Sequence, residues 1–172
     1  MEIRTSGKLI LASASPRRGE LLKTMGLEFD IVPADIDEAC RPEENPREHV
    51  LRLSEAKALA VGRLHPDAWV LGADTIVIID HEVLGKPGSS PEAQSMLEKL
   101  SGREHEVFTG FSIAGRGQGV LIRQVVESTV LFREIAPAEM AWYTASAEPY
   151  DKAGAYAVQG MGAFFIREIR GS

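Results

Sequence analysis

The sequence predicts an α/β domain built on a long, twisted, mixed β-sheet. The run Trp69–Ile79 is apolar on both alternating faces, which is typical of a strand in the middle of a sheet. Two segments, Ser15–Pro16 and Asn45–Pro46, each place a capping residue before a proline and predict a helix start. Strand-like and helix-like segments mix along the whole chain, which favours one domain over residues 1–172 with helices packed on the sheet.

The first part of the chain predicts two strands and two helices before the central strand. Gly26 ends the first helix, and Glu48, three residues after the Asn45 cap, completes a capping box for the second. In chain order the predicted elements are a strand at Leu9–Ala12, a helix at Pro16–Met25, a strand at Phe29–Val32, a polar loop over Asp35–Glu48 and a helix at Pro46–Leu64.

The second part predicts further strands and two helices after the central strand. The last four predicted strands form two pairs, and in each pair a glycine-bearing turn lies between the two strands. The elements are a short hairpin partner ending at Leu84, a helix at Ser90–Leu100, strands at Val107–Ala114 and Val120–Phe132, a helix at Pro137–Ala145, and final strands at Ala155–Val158 and Ala163–Ile169.

Composition excludes several classes of protein. The net charge of -6 argues against broad binding to nucleic acid or to an acidic membrane surface, since both need a basic face. The single cysteine, Cys40, excludes an intrachain disulfide and fits a reducing compartment. The apolar run near the N-terminus is too short for a signal peptide, and no run is long enough to cross a membrane. We therefore expect a cytoplasmic protein.

The junction between the first strand and the first helix carries anion-binding chemistry. Its sequence is L-A-S-A-S-P-R-R-G-E-L-L. A helix N-terminus presents unpaired N–H groups, to which Ser13 and Ser15 add hydroxyls and Arg17 and Arg18 add guanidinium groups suited to phosphate. An ordinary serine–proline cap followed by solvated arginines explains the same residues, and the residues alone favour neither reading.

The spacing along this helix predicts where Arg18 points. It stands three, four and seven residues before Leu21, Leu22 and Met25, which form the predicted apolar stripe. We therefore expect the Arg18 side chain to lie on the inward side of the helix, towards its N-terminus.

Lys57 occupies an unexpected position on the second helix. It falls on the predicted apolar stripe formed by Val50, Leu53, Ala60 and Leu64. Lysine is rarely buried without a partner, so an inward-facing cation here favours a binding role. The alternative is an aliphatic stem at the edge of the stripe with its ammonium group in solvent.

Asp74, followed by Thr75, interrupts the most apolar segment of the chain. It shares a strand face with Val70, Ile76 and Ile78. A buried carboxylate needs a cation, a metal or several donors, which makes Asp74 a candidate catalytic acid or base. The alternative is a bulge after the preceding glycine that lets the carboxylate reach solvent.

Three weaker candidates complete the set. Glu38, in an acidic loop, is a candidate oxygen ligand for a hard cation. Lys86, in the loop L-G-K-P, is by itself an ordinary loop lysine. The segment Asp151–Gly160 concentrates polar and small residues, and its glycines allow close approach of backbone to a ligand.

Three motifs resemble those of the Maf family of nucleotide pyrophosphatases, and they occur in the same order as in that family. They are L-A-S-A-S-P-R-R-G-E-L-L, then G-A-D-T-I-V-I-I-D followed by L-G-K-P, then E-P-Y-D-K-A-G-A-Y-A-V-Q-G. The resemblance implies an inosine-triphosphatase-like fold with two lobes and a cleft. It also implies hydrolysis of a nucleoside triphosphate to the monophosphate and pyrophosphate with a divalent cation, Mg²⁺ or Mn²⁺.

The third motif is similar to the version found in the subfamily acting on dTTP and UTP. By motif position, Asp74 is the implied catalytic carboxylate and, with Glu38, holds the metal. Lys57 and Lys86 are the implied cationic catalytic residues. Arg17, Thr75 and Gln159 are implied to set base specificity, and the Gln159 amide offers the donor and acceptor that the edge of uracil requires. Ser13, Ser15 and Arg18 are implied to bind the phosphates.

Two alternatives to this activity stay open at the level of sequence. One is a house-cleaning pyrophosphatase for modified or non-standard nucleotides. The other is a nucleotide-binding regulator of septum formation, which binds without turnover. The expected partner is a small nucleoside triphosphate, and association into a homodimer stays open. Family chains usually continue beyond Gly171–Ser172 with a segment similar to Y-x-N-V-x-G-L-P, so we expect one lobe to be short here.

Overall fold

The computed structural model describes residues 7–115 and 117–171. Within these residues it has helices on a seven-stranded sheet. The elements are β1 Leu9–Leu11, α1 Pro16–Thr24, β2 Asp30–Ile31, α2 Pro46–Leu64, β3 Trp69–Ile79, β4 Glu82–Leu84, α3 Ser90–Leu100, β5 Glu104–Gly115, β6 Val120–Phe132, α4 Pro137–Thr144 and β7 Ile166–Gly171, with short 3₁₀ helices at Glu148–Asp151, Ala153–Ala155 and Met161–Phe165.

The sheet is mixed, which confirms the predicted α/β class. Its strand order is β2-β1-β3-β5-β6-β7, and β4 pairs with β3 outside this path. Strand β1 is parallel to both β2 and β3, whereas β4 is antiparallel to β3 and β7 is antiparallel to β6. No helix in the described part of the chain is long and apolar enough to span a membrane.

The chain divides into two compact units. The first comprises the described residues up to Asp74 together with Thr109–Val125, and the second comprises Thr75–Phe108 with the described residues from Val126 onwards. In the first unit, the buried side of α2 packs against β1 and β3. The fully buried residues of this core include Ile10, Ala12, Ala58 and Val70.

The second unit has an aromatic core. Phe132 contacts the Tyr156 ring edge-on, with ring centroids 4.6 Å apart, and Tyr143 contacts Phe165 in the same way at 5.1 Å. Edge-to-face contacts add to the free energy that the buried area of these rings already contributes. The residues of α3 that complete this core are Ala93, Met96, Leu97 and Leu100.

The predicted strand at Ala155–Val158 is wrong. Gly154 and Ala155 have φ angles of 66° and 63°, which belong to the left-handed region and break an extended strand. The chain forms a 3₁₀ helix over Ala153–Ala155 instead. The last predicted strand begins later than expected, because Met161–Phe165 is also 3₁₀ and β7 starts only at Ile166.

Parts of the predicted apolar stripes are also wrong. On α1, Leu21 and Met25 are 53% and 58% exposed, and on α2, Leu64 is 74% exposed. Towards the end of α2, the buried residues are Ala58 and Val61, which lie next to the predicted stripe. A helix stripe drifts around the axis, so residues at its edge depend on what lies opposite.

His105 is predicted to make the stability of the protein depend on pH. It is 2% exposed, and its Nε2 shares a hydrogen bond of 2.6 Å with the Tyr156 hydroxyl. Burial lowers the pKa of His105 from 6.5 to about 4. Between these values the unfolded chain binds a proton that the folded chain does not, so stability falls as the pH is lowered.

We expect the free energy of unfolding to fall by up to about 3 kcal/mol across this interval on account of His105. Urea denaturation at several pH values between neutral and mildly acidic measures the effect. His105→Gln is the control because it removes the titrating group, so its stability should depend less on pH. An equal dependence in both proteins would contradict the prediction.

Candidate functional site

Helix α2 lies unusually close to the sheet because two strand residues that face it are glycines. A Cβ on Gly72 would lie 2.2 Å from the Ser54 carbonyl oxygen, and one on Gly110 would lie 2.3 Å from the Val50 carbonyl oxygen. Any side chain at either position would therefore push the helix away. The Ser54 hydroxyl also shares a buried hydrogen bond of 2.8 Å with the Ser112 hydroxyl. This close packing lets side chains of α2 reach polar groups on β3.

Lys57 and Asp74 form a buried ion pair. The two residues are 8% exposed each, and the Lys57 Nζ donates to Asp74 Oδ1 over 2.7 Å. The same nitrogen lies 2.7 Å from Oε1 of Glu38, whose side chain is about half exposed. The structure therefore buries Asp74 within its strand and Lys57 on the inner face of its helix, rather than at a bulge or at an edge. Two carboxylates converge on one ammonium group.

Arg18 joins this cluster from α1. Its Nη1 donates to the Ala73 carbonyl oxygen over 2.8 Å and to the Ser13 hydroxyl oxygen over 2.9 Å. The predicted inward direction of Arg18 is thus confirmed, although its helix does not bury the expected stripe. Burial lowers the pKa of the guanidinium, the charge of Asp74 opposes this, and the group stays charged at neutral pH.

The two serines of the first motif have different roles in the structure. Ser13 is buried, and its hydroxyl oxygen accepts from the Ser15 peptide N–H over 3.2 Å as well as from Arg18. A hydroxyl with both acceptor positions used still has its own proton to donate. Ser15 occupies the N-cap position of α1, as predicted, but its side chain makes no capping hydrogen bond. Arg17 is half-buried at the second position of the helix.

The loop that carries Glu38 is held by residues that the sequence analysis did not select. Arg52 Nη2 donates to the Ala39 carbonyl oxygen over 3.0 Å, and the same guanidinium makes a two-point contact with the Glu44 carboxylate at 2.5 and 2.7 Å. Glu44 also contacts His49. The hydrogen bond from Arg52 holds the pKa of Glu44 well below its usual range. The sequence signal was weak, because Glu44 reads as one of several loop acids.

The other predicted site residues belong to the second unit. Thr75 is half-buried and follows Asp74 along β3, whereas Lys86 and Gln159 are exposed. The loop before Lys86 is joined to the third motif, because the Gly154 peptide N–H donates to the Gly85 carbonyl oxygen over 3.0 Å. Gly154 needs to be glycine, since it has positive φ and a Cβ would lie 3.0 Å from Val77.

The carboxylates of the first unit suit a hard cation that also binds phosphate. Among residues 7–115 and 117–171 no group of three or more histidine, cysteine, aspartate or glutamate side chains is placed to hold a metal by itself. Mg²⁺ usually takes one or two carboxylates and completes its coordination with water and substrate phosphates. Glu38 and Asp74 supply two such carboxylates close together, because each has an oxygen 2.7 Å from the same Lys57 ammonium nitrogen.

This arrangement combines a buried acid, two cations and a polar strand-to-helix junction. A sequence comparison identifies the family of the chain. The family described as Maf-like protein matches residues 8–172 of this chain. The chain belongs to the Maf family. The match includes all three motifs selected from the sequence, and the family that those motifs resemble is confirmed.

Individual relatives within the family cover almost the whole chain. A dTTP/UTP pyrophosphatase of Syntrophus aciditrophicus (strain SB) is 61% identical over 165 residues, which cover 96% of this chain and 80% of that protein. A dTTP/UTP pyrophosphatase of Myxococcus xanthus (strain DK1622) is 50% identical over 164 residues, covering 95% of this chain and 82% of that protein. Similarity at this level makes this chain a close relative of both proteins.

One solved structure is similar at a lower level. The Staphylococcus aureus Ham1 protein aligns with a TM-score of 0.46 and 19% identity, over 75% of this chain and 72% of that one. The Maf family assignment does not depend on this similarity.

Proposed function

We propose that this protein hydrolyses dTTP and UTP to the nucleoside monophosphate and pyrophosphate. The observation that carries the proposal is the cluster that the buried pair Lys57 and Asp74 forms with Glu38 and Arg18 next to a strand-to-helix junction. Two relatives that are 61% and 50% identical to this chain over the aligned residues are named dTTP/UTP pyrophosphatases, which supports the choice of substrate.

In the proposed reaction the oxygen of a water molecule forms a bond to the α-phosphorus. The bond from the α-phosphorus to the oxygen that bridges to the β-phosphate breaks, and its electron pair leaves with pyrophosphate. Asp74 orients the attacking water and takes up its proton, which then passes to solvent. A carboxylate has about four acceptor positions, so the one that Lys57 uses leaves others for water.

The cations bind the triphosphate and stabilise the charge that grows on the leaving group. Arg18 is oriented for this by Ser13 and the Ala73 carbonyl, and Lys57 by two carboxylates. Fixed donors of this kind stabilise a transition state without having to reorganise first. Ser15 and Lys86 are assigned to the same polyphosphate because of their places in the first and second motifs.

Glu38 and Asp74 would hold a divalent cation, Mg²⁺ or Mn²⁺, together with phosphate oxygens of the substrate. When bound, such an ion supplies positive charge next to the phosphates and favours a more reactive water. Lys57 lies between the same two carboxylates, so its ammonium group keeps them paired when no cation is bound.

Base selection is assigned to Gln159, with Arg17 and Thr75. The Gln159 side chain is exposed and carries both a donor and an acceptor. This matches the carbonyl oxygen and the ring N–H on the edge that uracil and thymine share.

The test is incubation of the protein with dTTP, UTP, CTP, dATP, GTP and a set of base-modified nucleoside triphosphates in the presence of Mg²⁺, with products identified by mass. We expect monophosphate and pyrophosphate from dTTP and UTP, and no turnover once EDTA removes the cation. Release of inorganic phosphate would refute the proposed bond cleavage. Faster turnover of modified nucleotides would favour a house-cleaning pyrophosphatase, and binding without turnover would favour a nucleotide-binding regulator.

A further inference from the structure

Glu148 ties down the turn that carries Gln159. Its Oε2 accepts from the Met161 peptide N–H over 2.9 Å, and its Oε1 accepts from the Gly162 peptide N–H over 2.9 Å. These two N–H groups lie two and three residues after Gln159. A carboxylate that accepts from two neighbouring peptide groups restrains both the position of the turn and its backbone conformation.

The turn lies directly on this carboxylate. A Cβ on Gly160 would lie 2.8 Å from both Glu148 oxygens, and the φ angle of Gly160 is 98°. The positive φ angle favours glycine next to Gln159, and the short distances show that the turn lies against the carboxylate. The motif Q-G is thus explained by a contact with an acid that stands eleven residues before Gln159 in the chain.

Glu148 is itself held on three sides. The Tyr143 hydroxyl, on a fully buried ring, donates to Oε1 over 3.2 Å, and the Ser146 hydroxyl oxygen accepts from the Glu148 peptide N–H over 3.2 Å. The buried Lys152 donates to the Glu148 carbonyl oxygen over 2.6 Å and pairs with Asp151. The acid is therefore a rigid support and connects the core of the second unit to an exposed turn.

A rigid turn matters because a glutamine amide can offer two opposite hydrogen-bonding patterns to a base. Rotated by half a turn, its donor and acceptor exchange places, and it then matches the amino group and ring nitrogen of cytosine instead of the edge of uracil. A loose turn lets the Gln159 backbone move so that the amide fits either base, whereas a fixed turn presents the amide to the base from one position only. The support beneath Gln159 is thus a determinant of selectivity that does not touch the base.

We propose that Glu148 is a positioning residue for nucleobase selection, and that it sets the preference for UTP over CTP by fixing the Gln159 turn. This inference rests on the proposed function, in which Gln159 reads the base.

The test compares kcat/KM for UTP and CTP in Glu148→Gln and in the unaltered protein. The amide of the variant places an N–H group against a peptide N–H, which releases the turn. We expect the ratio of UTP to CTP turnover to fall about tenfold or more, with the thermal unfolding midpoint measured alongside. Gly160→Ala, which forces the turn off the carboxylate, should lower the ratio in the same direction and serves if Glu148→Gln does not fold.

Tyr143→Phe is the matched control. It removes one donor to the same carboxylate but leaves both contacts to the turn, so the ratio should stay within about twofold of the original. An equal loss of UTP and CTP turnover in Glu148→Gln and Gly160→Ala would show a merely structural role and overturn the inference.

Gln159→Glu in the same assay separates the two proposals. If it changes the ratio while Glu148→Gln and Gly160→Ala do not, base reading by Gln159 stands and the inference about Glu148 is overturned. If Gln159→Glu leaves the ratio unchanged, the assignment of Gln159 fails and the inference fails with it. Absence of UTP turnover in the unaltered protein would overturn the proposed function before any variant is compared.

Discussion

Asp74→Asn is expected to reduce kcat/KM for UTP and dTTP by about 10³-fold or more, which is within the range seen when an acid–base group is lost together with its charge. The fold should persist. The asparagine oxygen can still accept from Lys57, and Glu38 lies 2.7 Å from the same ammonium group. We therefore expect a loss of unfolding free energy of only about 1 kcal/mol. Pyrophosphate release and urea denaturation measure the two quantities.

Asp80→Asn is the matched control for this experiment. Asp80 follows β3 directly, and it pairs on the surface with Arg103 instead of facing a buried lysine. Its replacement should leave both turnover and stability nearly unchanged, since surface ion pairs contribute little. Full activity of Asp74→Asn would exclude this carboxylate from the reaction, and we would then look for the acid elsewhere on the chain.

Gly72→Ala is expected to destabilise the protein by about 3 kcal/mol, at the upper end for a single added methyl group. The new Cβ would lie 2.2 Å from the Ser54 carbonyl oxygen and 2.6 Å from the Ala58 peptide nitrogen. Both are backbone atoms, so the whole of α2 has to move outwards. Lys57 moves with the helix, and a displacement of the order of 1 Å should lower kcat/KM about a hundredfold. Urea denaturation and UTP turnover report the two effects.

Gly62→Ala tests whether the effect depends on position. Gly62 lies within α2, and a Cβ there would meet the Ala114 side chain at 3.8 Å and the Val70 side chain at 4.0 Å, both ordinary contact distances. Since alanine favours a helix by up to about 1 kcal/mol over glycine, this variant should be slightly more stable and fully active. Equal tolerance of alanine at Gly72 and Gly62 would contradict the idea that close packing of α2 builds the site.

The start of each long helix could be predicted from sequence because its cause is local. Helix α2 begins at Pro46 and ends at Leu64 as expected, with the capping box between Asn45 and Glu48 in place. The same holds for α3 and for the bounds of β3, Trp69–Ile79. A cap, a proline and an uninterrupted apolar run act within a few residues, so they need no information about the rest of the fold.

The strand prediction that was wrong failed for a different reason, which is not local in sequence. The expected strand at Ala155–Val158 is prevented by two residues with positive φ, and one of them, Ala155, carries a side chain. Gly154 is packed against Val77, from a strand that is distant in sequence. Left-handed backbone at a non-glycine residue persists only where surrounding packing requires it. No local pattern could have indicated it.

For the site, the sequence by itself determined the family and indicated the candidate residues. The motifs place an acid in an apolar strand and a lysine on an apolar helix face, and each of these placements is unusual by itself. They also place arginines after a helix cap, which an ordinary cap explains equally well. The tertiary structure decided their partners. Asp74 meets Lys57 because Gly72 and Gly110 let α2 approach the sheet, and Arg18 finds the Ala73 carbonyl, a group that no sequence pattern marks. Burial makes an unpaired charge costly, so these contacts depend on the whole packed unit and not on any one segment.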